Sequence, residues 1–437
     1  MPNNITRHAR ITAIAFSLSA VTPLLAACSS SPNADGLDER GNRSPSAVPA
    51  TPTVDPAAGS RLSIGDHPYT LRLTRSTRLG EGVYFHELVE PSGPNQIRLI
   101  ELDTETADLD LVPAGSNYPQ LASVGTMVQR ADALAGVNGE FYTLPGRPEF
   151  LSMADGELWQ TGLHKANTVA VTNGDDSVDV RSVNVRITAS PIAGDRALTI
   201  RNWNTYPPAG RSISAYTSRG GSVAVPPSSA CAVRLAHPSA PRWIRGQRGI
   251  ERVYTVAQTG CGGVRRPAGT EVVLAADGSA RSELAGIRRG QRIRIEVATD
   301  VPGMLDLAGG QPVLVKDGKN VAGGRCTTSF CTKQPRTGLG MRSDGLALVM
   351  TVDGLQEHWS VGMTPSDWAD LFVQVGAADA INLDGGASTQ MVVKGLGLVD
   401  RPSTPNGKQR HVGTALVVLP GEDAGVPPTL RSEPGPP

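Results

Sequence analysis

The run Asn382-Leu383-Asp384-Gly385-Gly386-Ala387-Ser388-Thr389 is the densest concentration of chemistry in the chain. An apolar strand leads into a carboxylate, and two glycines then let the backbone turn without a Cβ penalty. N–H groups on such a turn, here those of Gly385 and Gly386, suit an anion or a sugar hydroxyl. Ser388 and Thr389 add hydroxyls of their own. A second run, Ala135-Gly136-Val137-Asn138-Gly139-Glu140-Phe141, repeats the order of glycine, short apolar strand and Asn-x-acid. Side chains two apart on a strand share a face. Asn138 and Glu140 are therefore expected to point one way, as are Asn382 and Asp384. We read the two runs as related half-motifs meeting across one site, with Asp384 and Glu140 as its acids and the asparagines as hydrogen-bonding partners. Pro335-Arg336-Thr337-Gly338 supplies the cation: an arginine fixed between a proline and a glycine presents a planar fork that suits phosphate. Asp353, in Thr351-Val352-Asp353-Gly354, is a strand-end carboxylate that reads first as a turn former.

Other chemistries find no support. The chain has no Gly-x-Ser-x-Gly elbow, no P-loop and no His-Glu-x-x-His run. His164, His358 and His411 stand alone and read as structural. The formal net charge is +0, with no basic stripe interleaved with aromatics, so nucleic acid is not an expected partner.

The elements that must position these residues read as mixed α and β. Alternation in Arg292-Ile293-Arg294-Ile295-Glu296-Val297 predicts a half-buried strand. A helix is expected over about 121–133, with Val124, Met127, Val128 and Ala131 on one stripe and Gly136 beyond its end. A second has Thr364 as cap, Pro365 at its first position and Asp367 in its first turn. Its stripe is Trp368, Leu371, Phe372 and Val375, and Gly376 stops it. Each helix precedes one of the two Asn-x-acid runs. Asp155-Gly156 and Asp317-Gly318 predict hairpin turns.

The N-terminus carries an address. Arg7 and Arg10 precede an apolar stretch from Ile11 to Leu25, too short for a comfortable membrane span, and Leu25-Ala26-Ala27-Cys28 follows. This order makes a secretory signal peptide over 1–28. Its end resembles the lipobox of bacterial lipoproteins, which implies a lipidated Cys28 and anchorage at the outer face of the cell membrane. Residues 29–60 are rich in Ser, Pro, Gly, Asp and Asn and read as a flexible tether, and 421–437 as a disordered tail. Of five cysteines, Cys28 is set aside, leaving Cys231, Cys261, Cys326 and Cys331. An even number in an exported chain suggests disulfides. Cys231 with Cys261 and Cys326 with Cys331 is the economical pairing, and the sequence leaves others open.

The runs Gly136 to Tyr142, Gly309 to Val315, Pro335 to Gly338, Val352 to Gly354, Gly362 to Thr364 and Asn382 to Gly386 occur in one order. As a set they resemble the phosphodiester glycosidase domain family, which includes N-acetylglucosamine-1-phosphodiester α-N-acetylglucosaminidase. The resemblance covers roughly 71–419 and extends through Val273 to Gly278 and Leu284 to Gly290, which are similar to the family's β-rich inserted segment. It implies an α+β fold: largely antiparallel, mixed sheets with a few helices, in one catalytic domain over 61–420 with a β-rich insertion at about 205–300. The paired half-motifs add a pseudo-twofold core. The implied activity is cleavage of a sugar-1-phosphodiester at its anomeric bond. Asp384, Glu140 and Arg336 would be catalytic; Asn138, Asn382, Gly385, Gly386, Ser388, Thr389, Thr337 and Asp353 would hold carbohydrate or sugar phosphate. Ala387 stands where the family often has a third glycine, and Glu140 where several relatives have glycine. The sequence leaves the metal requirement open; the acids and asparagine oxygens could hold calcium. A noncatalytic glycan-binding lipoprotein, and a glycosidase or transferase of other specificity, are the competing readings. Oligomeric state is not legible.

Overall fold

A computed structural model of the protein describes residues 53–421, apart from 144–145, 163–167, 174–177, 195, 206–211, 223–225, 245, 247, 263–264 and 325–327, and gives backbone alone for 168–173. Cys28, the signal peptide, most of the expected tether, His164, Cys326 and the tail beyond 421 lie outside the described residues.

The chain is mostly β, with few helices and several antiparallel sheets. The first sheet runs in the order Arg72–Gly80, Val83–Glu90, Asn95–Asp103, Leu346–Val352, Arg336–Met341, Asp379–Asn382, Val313–Lys316 and Lys319–Asn320. Its middle strands are apolar on both faces, as a sheet covered on both sides requires. In the strand Asn95–Asp103, Ile97 and Leu99 join one core while Ile100 and Leu102 join the other. The first core packs under the helix Pro365–Gln374 through Trp368, Leu371, Phe372 and Val375, all fully buried. That helix starts as the sequence predicts: Thr364 accepts from the Asp367 N–H, the Asp367 side chain returns to the Thr364 N–H, and Pro365 follows the cap. Gly376, at φ 91°, ends it. Gly338 and Gly340 let it approach, since a Cβ at either position would meet the Phe372 ring at 2.9 or 2.7 Å.

The second core lies between the first sheet and another of five strands: Gly397–Leu398, Met391–Val393, Ala135–Asn138, Thr414–Pro420 and Ala107–Pro113. The helix Val124–Arg130, capped by Ser123, covers the outer face of that sheet through Val124, Met127 and Val128. It is shorter than the 121–133 read from the sequence because the chain enters by a bridge between Ala122 and Val412.

A third sheet holds Ser152–Ala154, Glu157–Gln160, Thr168–Asn173, Val178–Ser182 and Met304–Gly309. Its hairpin at Asp155-Gly156, and that at Asp317-Gly318 in the first sheet, have both central residues at positive φ, as the sequence predicts. The β-rich segment is a closed, mixed seven-strand barrel. Its strands are Cys231–Ala236, Val272–Ala276, Ile213–Thr217, Leu198–Trp203, Val185–Pro191, Arg292–Thr299 and Gly249–Cys261, and the last pairs back to the first. One neighbouring pair, Leu198–Trp203 with Ile213–Thr217, is parallel. The barrel takes in strands from Val185 onward, upstream of about 205, because its hydrogen-bonded circuit cannot close without them. Residues 53–60 are likewise not free: Val54 N–H donates to Leu73 O, Ala57 N–H to Ser76 Oγ and Ser60 Oγ to Glu101 Oε2.

Cys231 and Cys261 sit directly opposite in the barrel ladder and form a disulfide, as the economical pairing predicts. Cys331 is also disulfide-bonded. Closing a loop of 30 residues restricts the unfolded chain. Replacing both cysteines of the first bridge by serine should lower unfolding stability by about 3–4 kcal/mol. The bridge lies in the barrel sheet, whereas Asn138 and Asp384 belong to or follow strands of other sheets, so a chemical denaturation midpoint should fall while the site persists. An unchanged midpoint would contradict this role of the bridge.

Candidate active site

The Asn138 and Asn382 strands belong to different sheets, and their C-terminal ends meet. Asn138 Nδ2 donates to Asp384 O at 2.7 Å, and the Asp384 N–H donates to Gly139 O at 3.2 Å. Asn138 Oδ1 accepts from Thr337 Oγ1 at 2.7 Å and from the Gln390 N–H at 3.1 Å. One fully buried amide thus ties together the Arg336-Thr337 strand, the Asp384 loop and the segment behind it. Strand register completes the alignment: Gly338 pairs with Asn382, and the Leu383 N–H donates to Thr337 O.

Both strands end at their asparagine, so β alternation does not carry through to the acids. The acids accordingly part company with their asparagines, contrary to the shared-face expectation. Glu140 turns inward: Oε2 accepts from Ser152 Oγ and Oε1 from the Gly309 N–H, each at 2.9 Å. It is 2% exposed, and burial pushes its carboxyl up to about 8 against the pull of those two donors. At neutral pH it is held as a neutral acid, bracing the third sheet against the Asn138 strand. Asp384 is half-buried at the junction. Burial pushes its carboxyl up to about 6, opposed by the nearby Ser388 hydroxyl, the Gly385 N–H and the Arg410 charge, and aided by Glu149.

The glycine turn works differently from the sequence reading. The Gly385 N–H donates to Asp384 Oδ1 at 2.9 Å and the Gly386 N–H to Pro335 O at 2.9 Å. Both are therefore occupied in holding the loop rather than facing an anion. Gly386 takes φ 59°, which favours glycine, while Ala387 lies inside a 3₁₀ turn, Gly386–Ser388, and escapes the strain. A Cβ on Gly385 would lie 2.9 Å from Pro335 O. Asn382 Nδ2 donates to Gln311 O and Leu383 O, whereas its Oδ1 is buried without a partner. Ser388 Oγ, Thr389 Oγ1 and Gln390 Oε1 share that condition, and Ser388 Oγ lies beside the Asp384 and Tyr142 side chains without full hydrogen-bond geometry. Buried polar atoms are rarely left unpaired, so four in one nine-residue stretch mark it as a place shaped for something other than stability.

Arg336 is 1% exposed. Its Nε donates to Met363 O at 2.9 Å and its Nη2 to Phe330 O at 2.6 Å and Thr332 O at 2.9 Å. The Phe330 ring lies over it at 4.8 Å, and burial lowers its pKa to about 10. Phe330 in turn packs against Phe141, which follows Glu140. Asp353 belongs to a separate buried cluster: Oδ2 accepts from Trp359 Nε1, Oδ1 from the Arg401 N–H, and Arg98 lies 3.7 Å away. Burial and the neighbouring Asp353 push the Asp400 carboxyl there up to about 7. These neighbours give Asp353 an evident structural role.

Several residues of the site have no signal in the sequence. Tyr142 donates to His411 O at 3.0 Å, and the exposed Arg410 guanidinium stands 5.4 Å over its ring. Gln390 Nε2 donates to Arg410 O at 2.6 Å. Among the described residues no group of three His, Cys, Asp or Glu side chains converges as metal ligands would. At the site Glu149 is the further acid whose charge reaches Asp384, and the other oxygens around it are amide and hydroxyl, a sparse set for calcium.

Comparison with known proteins shows likeness in fold and, over part of the chain, in sequence. A crystal structure from Burkholderia pseudomallei K96243, of a protein named as a candidate exported protein, superposes with TM-score 0.59 at 18% identity, covering 83% of this chain and 99% of that one. A hypothetical protein from Synechocystis superposes with TM-score 0.60 at 16% identity, over 82% of this chain and 64% of that one. These likenesses concern the fold. In sequence, the chain is 41% identical over 83 residues to an uncharacterized SPbeta prophage-derived protein, YomE, of Bacillus subtilis (strain 168), spanning 13% of that relative's length and 19% of this one. Residues 247–419, which include Arg336, Thr337, Asp353 and the whole Asn382–Thr389 run, match the model of the phosphodiester glycosidase family.

Proposed function

We propose that the protein hydrolyses sugar-1-phosphodiesters at the anomeric carbon, releasing the free sugar and a phosphomonoester. The observation that carries this reading is the Asp384 carboxylate, half-buried where the two Asn-x-acid loops join, inside the segment that matches the family. The C1–O bond breaks with its electron pair remaining on the phosphate oxygen, already a good leaving group that needs little protonation. Positive charge develops on the sugar ring, and a fixed carboxylate opposes it in a site of low polarisability. Water supplies the hydroxyl that ends on C1, and its second proton passes to solvent. Asp384 is the group for this charge. Glu140, enclosed by Ser152 and Gly309, fixes the loop from behind. Asn382, Ser388 and Thr389 supply oxygens toward sugar hydroxyls, and Thr337 acts through Asn138. The signal peptide, the lipobox-like Cys28 and the disulfide fit an exported protein anchored at the outer face of the cell membrane, acting on envelope carbohydrate.

The test is incubation of the soluble form beginning after Cys28, disulfides formed, with a panel of α-linked sugar-1-phosphodiesters, following free sugar by chromatography. Release supports the reading; tight binding of one member without release would replace it by a glycan-binding role. The pH dependence follows from Asp384. Its ionised form opposes the developing charge, and its carboxyl titrates at about 6. The kcat/KM of the free enzyme should rise with pH and level off above roughly 7, about one unit beyond that pKa. A profile flat from pH 4 to 8 would remove Asp384 from the role.

A further inference from the structure

We infer that Arg410, seated on Tyr142 and tethered by Gln390, is the cation that reads the substrate's phosphate, and that Arg336 is a positioning residue. The inference rests on the sugar-1-phosphodiester reading and names the specificity-determining residue of that site.

A phosphodiester keeps one negative charge throughout the reaction. The group that recognises it must meet it from the solvent side and hold a fixed direction. Arg336 fails the first condition. It is almost wholly enclosed, its Nε and one Nη are engaged by backbone carbonyls, and Phe330 covers its face. Those bonds instead tie the segment 330–332 and Met363 to the strand beside Asp384, since Pro335 O receives the Gly386 N–H. Arg410 meets both conditions. It is exposed, yet its backbone carbonyl accepts from Gln390 Nε2 at 2.6 Å, and the Gln390 N–H donates to Asn138 Oδ1 at 3.1 Å. Asn138 in turn holds the Asp384 carbonyl. The position of Arg410 is therefore set by the same amide that sets Asp384. Its guanidinium lies 5.4 Å over the Tyr142 ring, and the Tyr142 hydroxyl donates to the next carbonyl, His411 O. A cation stacked on an aromatic face keeps its edge free for bidentate contact with phosphate oxygens. Its charge also reaches Asp384, as a smaller contribution than the Ser388 hydroxyl and the Gly385 N–H. The arrangement brings a solvent-facing cation and a charge-opposing carboxylate to one site, the pair of groups a sugar-1-phosphodiester calls for.

The inference predicts a split in kinetics and in substrates. Arg410→Ala should raise KM for the phosphodiester about 10- to 100-fold, the range for one hydrogen bond to a charged group. Its kcat/KM toward a neutral α-glycoside of the same sugar, with a nitrophenol leaving group, should stay within about 3-fold of wild type. Arg410→Lys should recover part of the KM, because charge returns without the planar edge. The side chain is exposed, and a circular-dichroism melt equal to wild type shows that the fold is kept. A KM for the phosphodiester unchanged in Arg410→Ala, or equal losses on the charged and the neutral substrate, would overturn the inference. Failure of wild type to release sugar from any phosphodiester would instead overturn the functional reading beneath it, and the two failures are told apart by that wild-type arm.

Discussion

Asp384→Asn should lower kcat/KM for a sugar-1-phosphodiester by on the order of 10³-fold, comparable with removing one preorganised electrostatic partner. The fold should not weaken with it. The Asp384 carboxyl sits above its ordinary value in the folded state, so the folded chain binds more protons than the unfolded one between 3.8 and about 6. Stability tied to this group is therefore present below that window and is lost as pH rises through it. Asparagine keeps the shape without the buried charge, and its melting temperature at pH 7 should equal or exceed that of wild type. Loss of activity with gain in stability is the signature of a group placed for chemistry. A variant that is both inactive and unstable would make Asp384 a structural turn residue.

Asn138→Leu should damage stability and activity together. Leucine has similar bulk, but it leaves Asp384 O, Thr337 Oγ1 and the Gln390 N–H without their partner. Each buried group left unpaired costs about 1–3 kcal/mol, so an unfolding loss of roughly 3 kcal/mol or more is expected. Measured at a temperature where the variant is fully folded, kcat should still fall, because the Asp384 loop and the Arg410 turn both hang on this amide. Wild-type kcat in a destabilised but folded variant would show that the amide supports the sheets and does not aim the site.

The parts legible in the sequence are those set by local chemistry. The Thr364 cap, Pro365, Asp367 and the Trp368 stripe define their helix within the chain itself, and the two Asp-Gly turns define their hairpins. The Cys231–Cys261 pair followed from loop economy and coincides with a ladder position. The meeting of the Asn138 and Asn382 strand ends was readable because the two runs repeat one pattern. What the pattern misjudged was the geometry just past each strand end. There alternation stops and turn bonds decide direction, sending Glu140 inward to Ser152 and Gly309 and leaving Asp384 at the junction. The neighbours of Arg336 restrict its backbone, yet restriction alone does not distinguish a cation aimed at a ligand from one anchored on carbonyls. Arg410 gave no local sign at all. Its importance depends on a fold-back that joins residues far apart in sequence, through Gln390 and Tyr142.

The barrel shows a related limit. Alternation over Arg292–Val297 marks a strand, found at Arg292–Thr299, but nothing local tells that its neighbours begin at Val185. Closure is a property of the whole circuit.

Reaction in ¹⁸O-labelled water, followed by mass analysis of both products, tests the central claim most directly. Cleavage at the anomeric carbon places the label in the released sugar and leaves the phosphomonoester unlabelled, which is the expected result. Label in the phosphate would mean that the phosphorus–oxygen bond breaks, and would contradict a glycosidase built around Asp384.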